Sequence, residues 1–241
     1  MIKSLAPAVF GVFLAMTLSL LATMSATADP SFDCGKARTL DEKEICSDRY
    51  LAQIDSAVSD AYRSYEPEFQ SKSTIVSRTL EDRSDCGDDD ACIAAVQLSA
   101  LQTYKGTEPW VYNYAVSLVG NRASLIGAQK LDGSIQPPRK HAECSQTRIR
   151  SLTTRFGEPV SYGNEDLGTA VEYDNGVFVI SYSRDDGLYN AKVGQPVVVC
   201  LLTVPYDCPA GDDRGRFYYT LNLSTRLEWV MADAQHVCGG A

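Results

Sequence analysis

The chain has 241 residues, of which 22 are lysine or arginine and 31 are aspartate or glutamate, for a net charge of −9. Such an acidic balance argues against nucleic acid and against anionic membrane surfaces as partners, because both carry negative charge. The chain also has eight cysteines but only two histidines, so the cysteines are the most informative of its chemically reactive side chains.

The first 28 residues have the pattern of a secretory signal peptide. Lys3 supplies one positive charge, no other charged residue precedes Asp29, and residues 9–21 are continuously apolar or small. They lead to Ala26-Thr27-Ala28, a small-x-small sequence of the kind that signal peptidase cleaves. A membrane anchor is the alternative, since about 20 apolar residues span a bilayer. The cleavage sequence favours a periplasmic or secreted protein with no membrane span after cleavage and, without Lys3, a net charge of −10.

All eight cysteines follow this segment, which indicates up to four disulfides in an oxidising compartment. They are Cys34, Cys46, Cys86, Cys92, Cys144, Cys200, Cys208 and Cys238. Zinc is the alternative, but zinc sites favour cysteines about two to four residues apart. The close pairs here are separated by eleven, five and seven residues. We therefore predict disulfides, with no metal and no other cofactor.

The first half of the mature chain shows the hydrophobic period of helices. Thr39 and Glu42 form a capping-box pattern ahead of a short helix that ends near Cys46. Ser47 or Asp48 then caps a longer helix, whose apolar residues recur at helical spacing. These residues are Leu51, Ile54, Val58, Ala61, Tyr62 and Tyr65.

Two further helices are predicted in this region. A weaker pattern covers residues 72–85, and another begins near Ala91 and ends before Gly106. A helical hairpin of about 75 residues has a small core and gains from disulfides, each contributing roughly 3 kcal/mol when it closes a loop of about 15 residues. Local pairs, Cys34–Cys46 and Cys86–Cys92, and crossed pairs between the two groups both fit an antiparallel hairpin.

From about Thr147 the hydrophobic period changes to two, which is typical of strands. Asn175-Gly176 lies between two alternating segments and predicts a β-hairpin. Ser224-Thr225 separates a second such pair, in which Tyr218 and Trp229 supply aromatic contacts. Residues 196–204 form a nearly continuous apolar run, which predicts a strand buried on both faces.

These patterns predict an α+β protein with a disulfide-stapled helical hairpin or bundle followed by a small antiparallel β domain. The expected divisions are a signal peptide at 1–28, a helical domain at 29–105, a connector at 106–143 and a β domain at 144–241. Within the connector, Trp110–Leu118 is expected to form a strand or a helix.

The first cysteine cluster resembles a known family. The residues that carry the resemblance are DCGKARTLDEKEIC at 33–46, followed by Leu51, Asp55, Tyr62, Arg83, Cys86 and Cys92. They are similar to the lysozyme inhibitor LprI-like N-terminal domain over about residues 31–104. The resemblance implies a non-catalytic binding protein of the lysozyme-inhibitor type. The tail from Cys200 onward resembles a domain of uncharacterised exported bacterial proteins and implies no activity.

The candidate binding residues lie in the acidic turn between Cys86 and Cys92 and immediately before it. They are Asp85, Asp88, Asp89 and Asp90. Since lysozymes are generally cationic, an acidic protein would be steered toward one, and a rigid loop would fit its cleft. Calcium binding is the less favoured interpretation, because the turn lacks the glycine and distal glutamate of a calcium loop. A solvated acidic loop is the default for such a charge run.

No complete catalytic site is found in the sequence, so we do not expect an enzyme. His236 and Cys238 suggest a Cys–His nucleophile, but a disulfide at Cys238 would prevent attack. Asp212, Asp213 and Arg214 lie between glycines and favour a turn over an acid–base pair.

A second hypothesis is a structural or interaction module of the cell envelope with no connection to lysozyme. Gln97 and Ala100 favour it, because they stand where the family has tyrosine and arginine.

Overall fold

The computed structural model describes residues 29–129, 136–160, 167–188 and 190–240. The predicted signal peptide, residues 1–28, lies outside the described residues. Helices come first along the described chain and strands follow. The helices are α1 (Leu40–Ser47), α2 (Arg49–Ser64), α3 (Lys72–Asp85), α4 (Asp90–Thr103) and α5 (Pro109–Gly127). The strands are β1 (Cys144–Thr153), β2 (Thr169–Tyr173), β3 (Phe178–Ser181), β4 (Pro196–Thr203), β5 (Phe217–Asn222) and β6 (Glu228–Ala232).

The helices begin where the sequence places caps. Thr39 and Glu42 form the predicted capping box at α1, and the Asp48 carboxylate accepts the backbone N–H groups at the start of α2. Asp89 accepts the Cys92 N–H at the start of α4, at 3.0 Å. Each cap satisfies a donor that the first helical turn leaves without an internal partner.

All eight cysteines are paired, which confirms the disulfide prediction. The bonds are Cys34–Cys46, Cys86–Cys92, Cys144–Cys200 and Cys208–Cys238. The pairing in the helical region is therefore local, because each bond joins cysteines on either side of a short turn or helix. Two bonds lie among the helices and two in the β region.

The six strands form a closed antiparallel barrel in the order β1-β2-β3-β6-β5-β4. Both predicted hairpins are confirmed: β2 pairs with β3, and β5 pairs with β6. Gly176 in the first turn has a φ of 85°, which glycine adopts without steric cost. Pairing of β1 with β4 closes the barrel and places Cys144 directly opposite Cys200, where their disulfide forms.

Strand β4 is buried on both faces, as its apolar run predicts. Val197, Val199 and Leu201 point into the barrel core, and the alternating residues Val198 and Cys200 pack with the helices. Consecutive side chains of a strand point to opposite faces. Because both faces of β4 are buried, the residues on each face must be apolar, which gives the continuous apolar run.

Helix α5 occupies half of the stretch 106–143 that the sequence assigned to a connector, and it includes Trp110–Leu118, where a strand or a helix was expected. It buries Val111, Ala115, Val119 and Ala123, which recur every four residues, in the same hydrophobic cluster as α4 and β4. The helices and the outer face of the barrel therefore share one hydrophobic cluster, while the barrel interior holds a second one. Gly120 and Gly127 weaken helical propensity here, but they let α5 approach the barrel closely: a Cβ on Gly120 would lie 2.9 Å from the Tyr219 hydroxyl.

Candidate functional site

The four aspartates predicted to bind a partner differ in their exposure and in their contacts within the structure. Asp85 ends α3, its side chain is exposed, and it pairs with Lys140 at 3.6 Å. Asp89 caps α4 and also forms an ion pair with Arg122 of α5. Asp89 is therefore committed to joining α4 to α5, and its carboxylate is poorly placed to receive a partner.

Asp88 and Asp90 remain at the surface of this turn. Both are exposed, and the Asp90 carboxylate accepts only the N–H of the neighbouring Ala91 among the described contacts, at 2.6 Å. The Cys86–Cys92 disulfide closes the turn, and α4 behind it is almost completely buried. The two carboxylates are thus displayed on a backbone that is held in one conformation.

A pair of tyrosines lies at the Asp48 cap of α2. Tyr50 of α2 and Tyr114 of α5 pack together with ring centroids 5.0 Å apart and ring planes tilted by 33°, and Tyr50 is 44% exposed. The Tyr114 hydroxyl donates to Asp48 at 3.0 Å. Burial, together with the negative charges of Asp48 and Asp90, raises the pKa of Tyr114 well above its usual range.

We call Asp48, Tyr50, Asp88, Asp90 and Tyr114 the acidic–aromatic patch. Carboxylates attract cations at long range, and tyrosine faces bind guanidinium and ammonium groups at contact. The side chain of Arg49 already lies over Tyr50, with its guanidinium carbon 5.0 Å from the ring centroid. Sequence reasoning missed the two tyrosines: Tyr114 lies in Trp110–Leu118, where a strand or a helix was expected, but its contact with Tyr50 joins two helices far apart in sequence.

A cleft of about 400 Å³ lies where the helices meet the barrel. Its apolar lining includes Tyr65, Phe69, Phe217 and Val237, and Glu66 and Glu68 lie at its exposed side. Ligand sites in proteins favour such junctions between structural units.

Asp207 fixes the wall of this cleft. Its carboxylate accepts the Tyr65 hydroxyl at 2.6 Å and the backbone N–H groups of Glu68, Phe69 and Gln70 at 2.6 to 2.9 Å. Burial alone would raise the pKa of this carboxyl, but these four donors together lower it. One carboxylate after β4 thus anchors the loop between α2 and α3 to the barrel.

A buried Ser–His–Asp cluster, which the sequence did not suggest, lies between α3, α4 and β4. Ser99 Oγ is 3.0 Å from His141 Nε2, and His141 Nδ1 is 3.9 Å from Asp82. Asp82 also accepts the Tyr206 hydroxyl at 2.8 Å, and the Tyr206 ring stacks on the imidazole. Burial lowers the pKa of His141 to about 4, although the Asp82 charge opposes the shift.

This cluster has the composition of a nucleophilic triad but not the accessibility of one. Ser99 is completely buried, and its hydroxyl lies 2.9 Å from the Ala95 carbonyl oxygen while accepting the Val204 N–H. A substrate carbonyl has no approach to Oγ, and the 3.9 Å separation is too long for a His–Asp hydrogen bond. The cluster joins the helices to the barrel.

The remaining candidates from the sequence have structural partners. Cys238 is bonded to Cys208, so its sulfur is not a nucleophile. Asp212 pairs with Arg214 at 2.7 Å and accepts the Gly239 N–H, and these contacts lower the pKa of its carboxyl. This pair closes the turn ahead of β5, as the flanking glycines predict.

The described residues contain no cluster of three or more histidine, cysteine, aspartate or glutamate side chains able to hold a metal ion. None of the helices in the described segments is both long and apolar enough to span a membrane. Comparisons with family models, with curated proteins and with solved structures find no match to this chain.

Proposed function

We propose that this chain is an exported binding protein that engages a cationic protein through the acidic–aromatic patch. Lysozyme is the partner that the resemblance at residues 31–104 suggests. The observation that carries the proposal is the exposed pair Asp88 and Asp90 on a disulfide-closed turn, together with the packed rings of Tyr50 and Tyr114 at the Asp48 cap. Four disulfides are typical of an exported protein and support the periplasmic or secreted location.

The rigidity of the patch favours binding. Association costs free energy for every side chain and loop that must become ordered, and a preorganised surface avoids part of that cost. Here the Cys86–Cys92 disulfide, the Asp89 cap and the Asp89–Arg122 ion pair hold the turn before any partner arrives.

Charge complementarity supplies the second argument. A chain with a net charge of −10 after removal of residues 1–28 attracts a cationic protein over several ångströms, and the attraction weakens as salt shortens the Debye length to about 8 Å at physiological ionic strength. We therefore expect faster association at low salt. In the bound complex, the rings of Tyr50 and Tyr114 would contact cationic side chains of the partner.

A lysis assay tests the proposal. The purified chain without residues 1–28 should slow lysozyme digestion of cell walls at low salt, and Asp88→Asn combined with Asp90→Asn should weaken inhibition about three- to tenfold. The matched control is Glu158→Gln with Glu66→Gln, which removes two exposed charges outside the patch instead.

Equal loss of inhibition in both double variants would assign the effect to net charge and not to the patch. No inhibition by the unmodified protein at micromolar concentration would reject lysozyme as the partner. The chain would then be better described as an interaction module of the cell envelope, and affinity capture from envelope extract would identify what it binds.

A further inference from the structure

An open groove of about 500 Å³ is lined by α3, by the loop ahead of β1 and by the segment that joins β4 to β5. Three arginines line it: Arg78 of α3, Arg139 ahead of β1, and Arg216 immediately before β5. This concentration of guanidinium groups is unexpected in a chain that has 22 basic and 31 acidic residues. Ligand pockets in proteins have volumes of about 300–1,000 Å³, so the groove has room for a small organic molecule.

The two aspartates that line this groove are already paired with arginines. Asp212 pairs with Arg214 at 2.7 Å, and Asp213 accepts a hydrogen bond from Arg216. Because these two ion pairs carry no net charge, the other two arginines of the groove give it a surplus of two positive charges. The sign of this local charge is opposite to that of the whole chain.

The other two arginines have donors to spare. Arg78 lies over the Tyr206 ring and donates to the Tyr206 carbonyl oxygen at 3.4 Å, and it has no carboxylate partner in the described part of the chain. The Glu143 carboxylate accepts the backbone N–H of Arg139 at 2.6 Å, but the Arg139 guanidinium itself forms no hydrogen bond or ion pair within the described segments. A guanidinium has five N–H donors, so both side chains keep donors that a ligand could use.

The wall formed by the segment between β4 and β5 is held in place by the fold. Cys208 is bonded to Cys238, and the Gln70 side chain donates to the Cys208 carbonyl oxygen at 2.8 Å. A preorganised wall avoids part of the free energy that binding would otherwise spend on ordering it. The apolar residues that line the groove all belong to this wall, and they are Val204, Pro205, Pro209 and Ala210. They would contact the carbon chain of a ligand.

We propose that this groove binds a small organic dicarboxylate, with one carboxylate paired with Arg78 and the other with Arg139. Guanidinium and carboxylate groups are both planar and form two parallel hydrogen bonds. A monocarboxylate would leave one arginine without a partner, and a compact inorganic anion would make no use of the apolar wall. The site takes an anion, so it is independent of the acidic–aromatic patch and of the cationic partner proposed there.

Glutarate and pentanoate are the probes, because they have the same carbon chain and differ by one carboxylate. With the arginine side chains labelled for NMR, glutarate should shift the Nε–Hε signals of Arg78 and Arg139 saturably, with a Kd of about 1–10 mM. It should bind about three- to fivefold more tightly than pentanoate, as expected for one additional ion pair at a partly exposed site. Sodium chloride keeps the ionic strength equal in all titrations, because salt screens exposed charges.

A matched pair of variants assigns the binding to the groove. Arg139→Gln removes an exposed side chain that has no partner in the fold, so the protein should stay folded while its affinity for glutarate falls to that for pentanoate. The control is Arg38→Gln, which removes another exposed arginine, in the loop ahead of α1, and should leave glutarate binding unchanged.

Several outcomes would overturn the proposal. One is the absence of saturable shifts at the two arginines of the unmodified protein. Equal affinity for glutarate and pentanoate would reject recognition of a second carboxylate, and equally tight binding of sodium sulfate would show that the groove responds to charge alone. If Arg38→Gln weakens glutarate binding as much as Arg139→Gln does, the effect comes from net charge and not from the groove.

Discussion

Acidification should destabilise this protein through His141, whose imidazole is buried between α3, α4 and the barrel. Burial lowers the pKa of His141 to about 4 in the fold, whereas an unfolded imidazole titrates near 6.5. Between pH 4 and pH 6.5, His141 is protonated in the unfolded chain but neutral in the folded chain. The stabilisation is therefore complete above about pH 6.5 and is lost as the pH falls toward 4.

The size of the effect follows from the same two values. Lowering the pKa of His141 from 6.5 to about 4 on folding corresponds to about 3 kcal/mol in the free energy of unfolding. About 2 kcal/mol of this is lost between pH 7 and about pH 4.5. Asp82 opposes the loss only weakly, because its carboxylate lies 3.9 Å away and is shared with the Tyr206 hydroxyl.

Guanidinium unfolding at both pH values measures the loss, with the disulfides left intact. The matched variant is His141→Gln, which keeps a polar group opposite Ser99 but does not titrate. It should be less stable than the unmodified protein at pH 7, yet it should lose about 2 kcal/mol less on acidification. If both proteins lose the same stability between the two pH values, His141 is not held neutral by burial and the reasoning fails.

Two further substitutions test the contacts that hold the helices. Arg83→Ala should cost about 3–5 kcal/mol in urea unfolding, because it leaves the buried carboxylates of Asp41 and Asp55 without their cation, and a loss below about 1 kcal/mol would show that water reaches them. Asp207→Ala should cost about 2–3 kcal/mol, because it leaves the Tyr65 hydroxyl and three backbone N–H groups without their acceptor. Proteolysis between α2 and α3 should also accelerate in this variant, while unchanged cleavage would contradict the anchoring role.

Local signals in the sequence predicted local structure well. The capping box at Thr39 and the Asn175-Gly176 turn depend on neighbouring residues alone, so each could be identified without the fold. The apolar run of β4 likewise predicted burial on both faces, since a strand alternates its side chains. Helix α5 was missed beyond Leu118, because Gly120 and Gly127 lower helical propensity and only contact with the barrel explains them.

The candidate site depended more strongly on the fold. The sequence identified the acidic turn, but it could not show that Asp89 pairs with Arg122, which lies 33 residues further along the chain. Nor could it bring Tyr114 beside Tyr50, or His141 beside Ser99, since these contacts join different helices and loops.

By itself the sequence determined the α+β class, the disulfide chemistry, the hairpin turns and the acidic surface, because each follows from composition or from residues close together in the chain. Tertiary structure alone decided which carboxylates are free, which are consumed by ion pairs, and where the cavities lie. Those features depend on distances between residues far apart in sequence, and such distances are set only when the helices pack against one another and against the barrel.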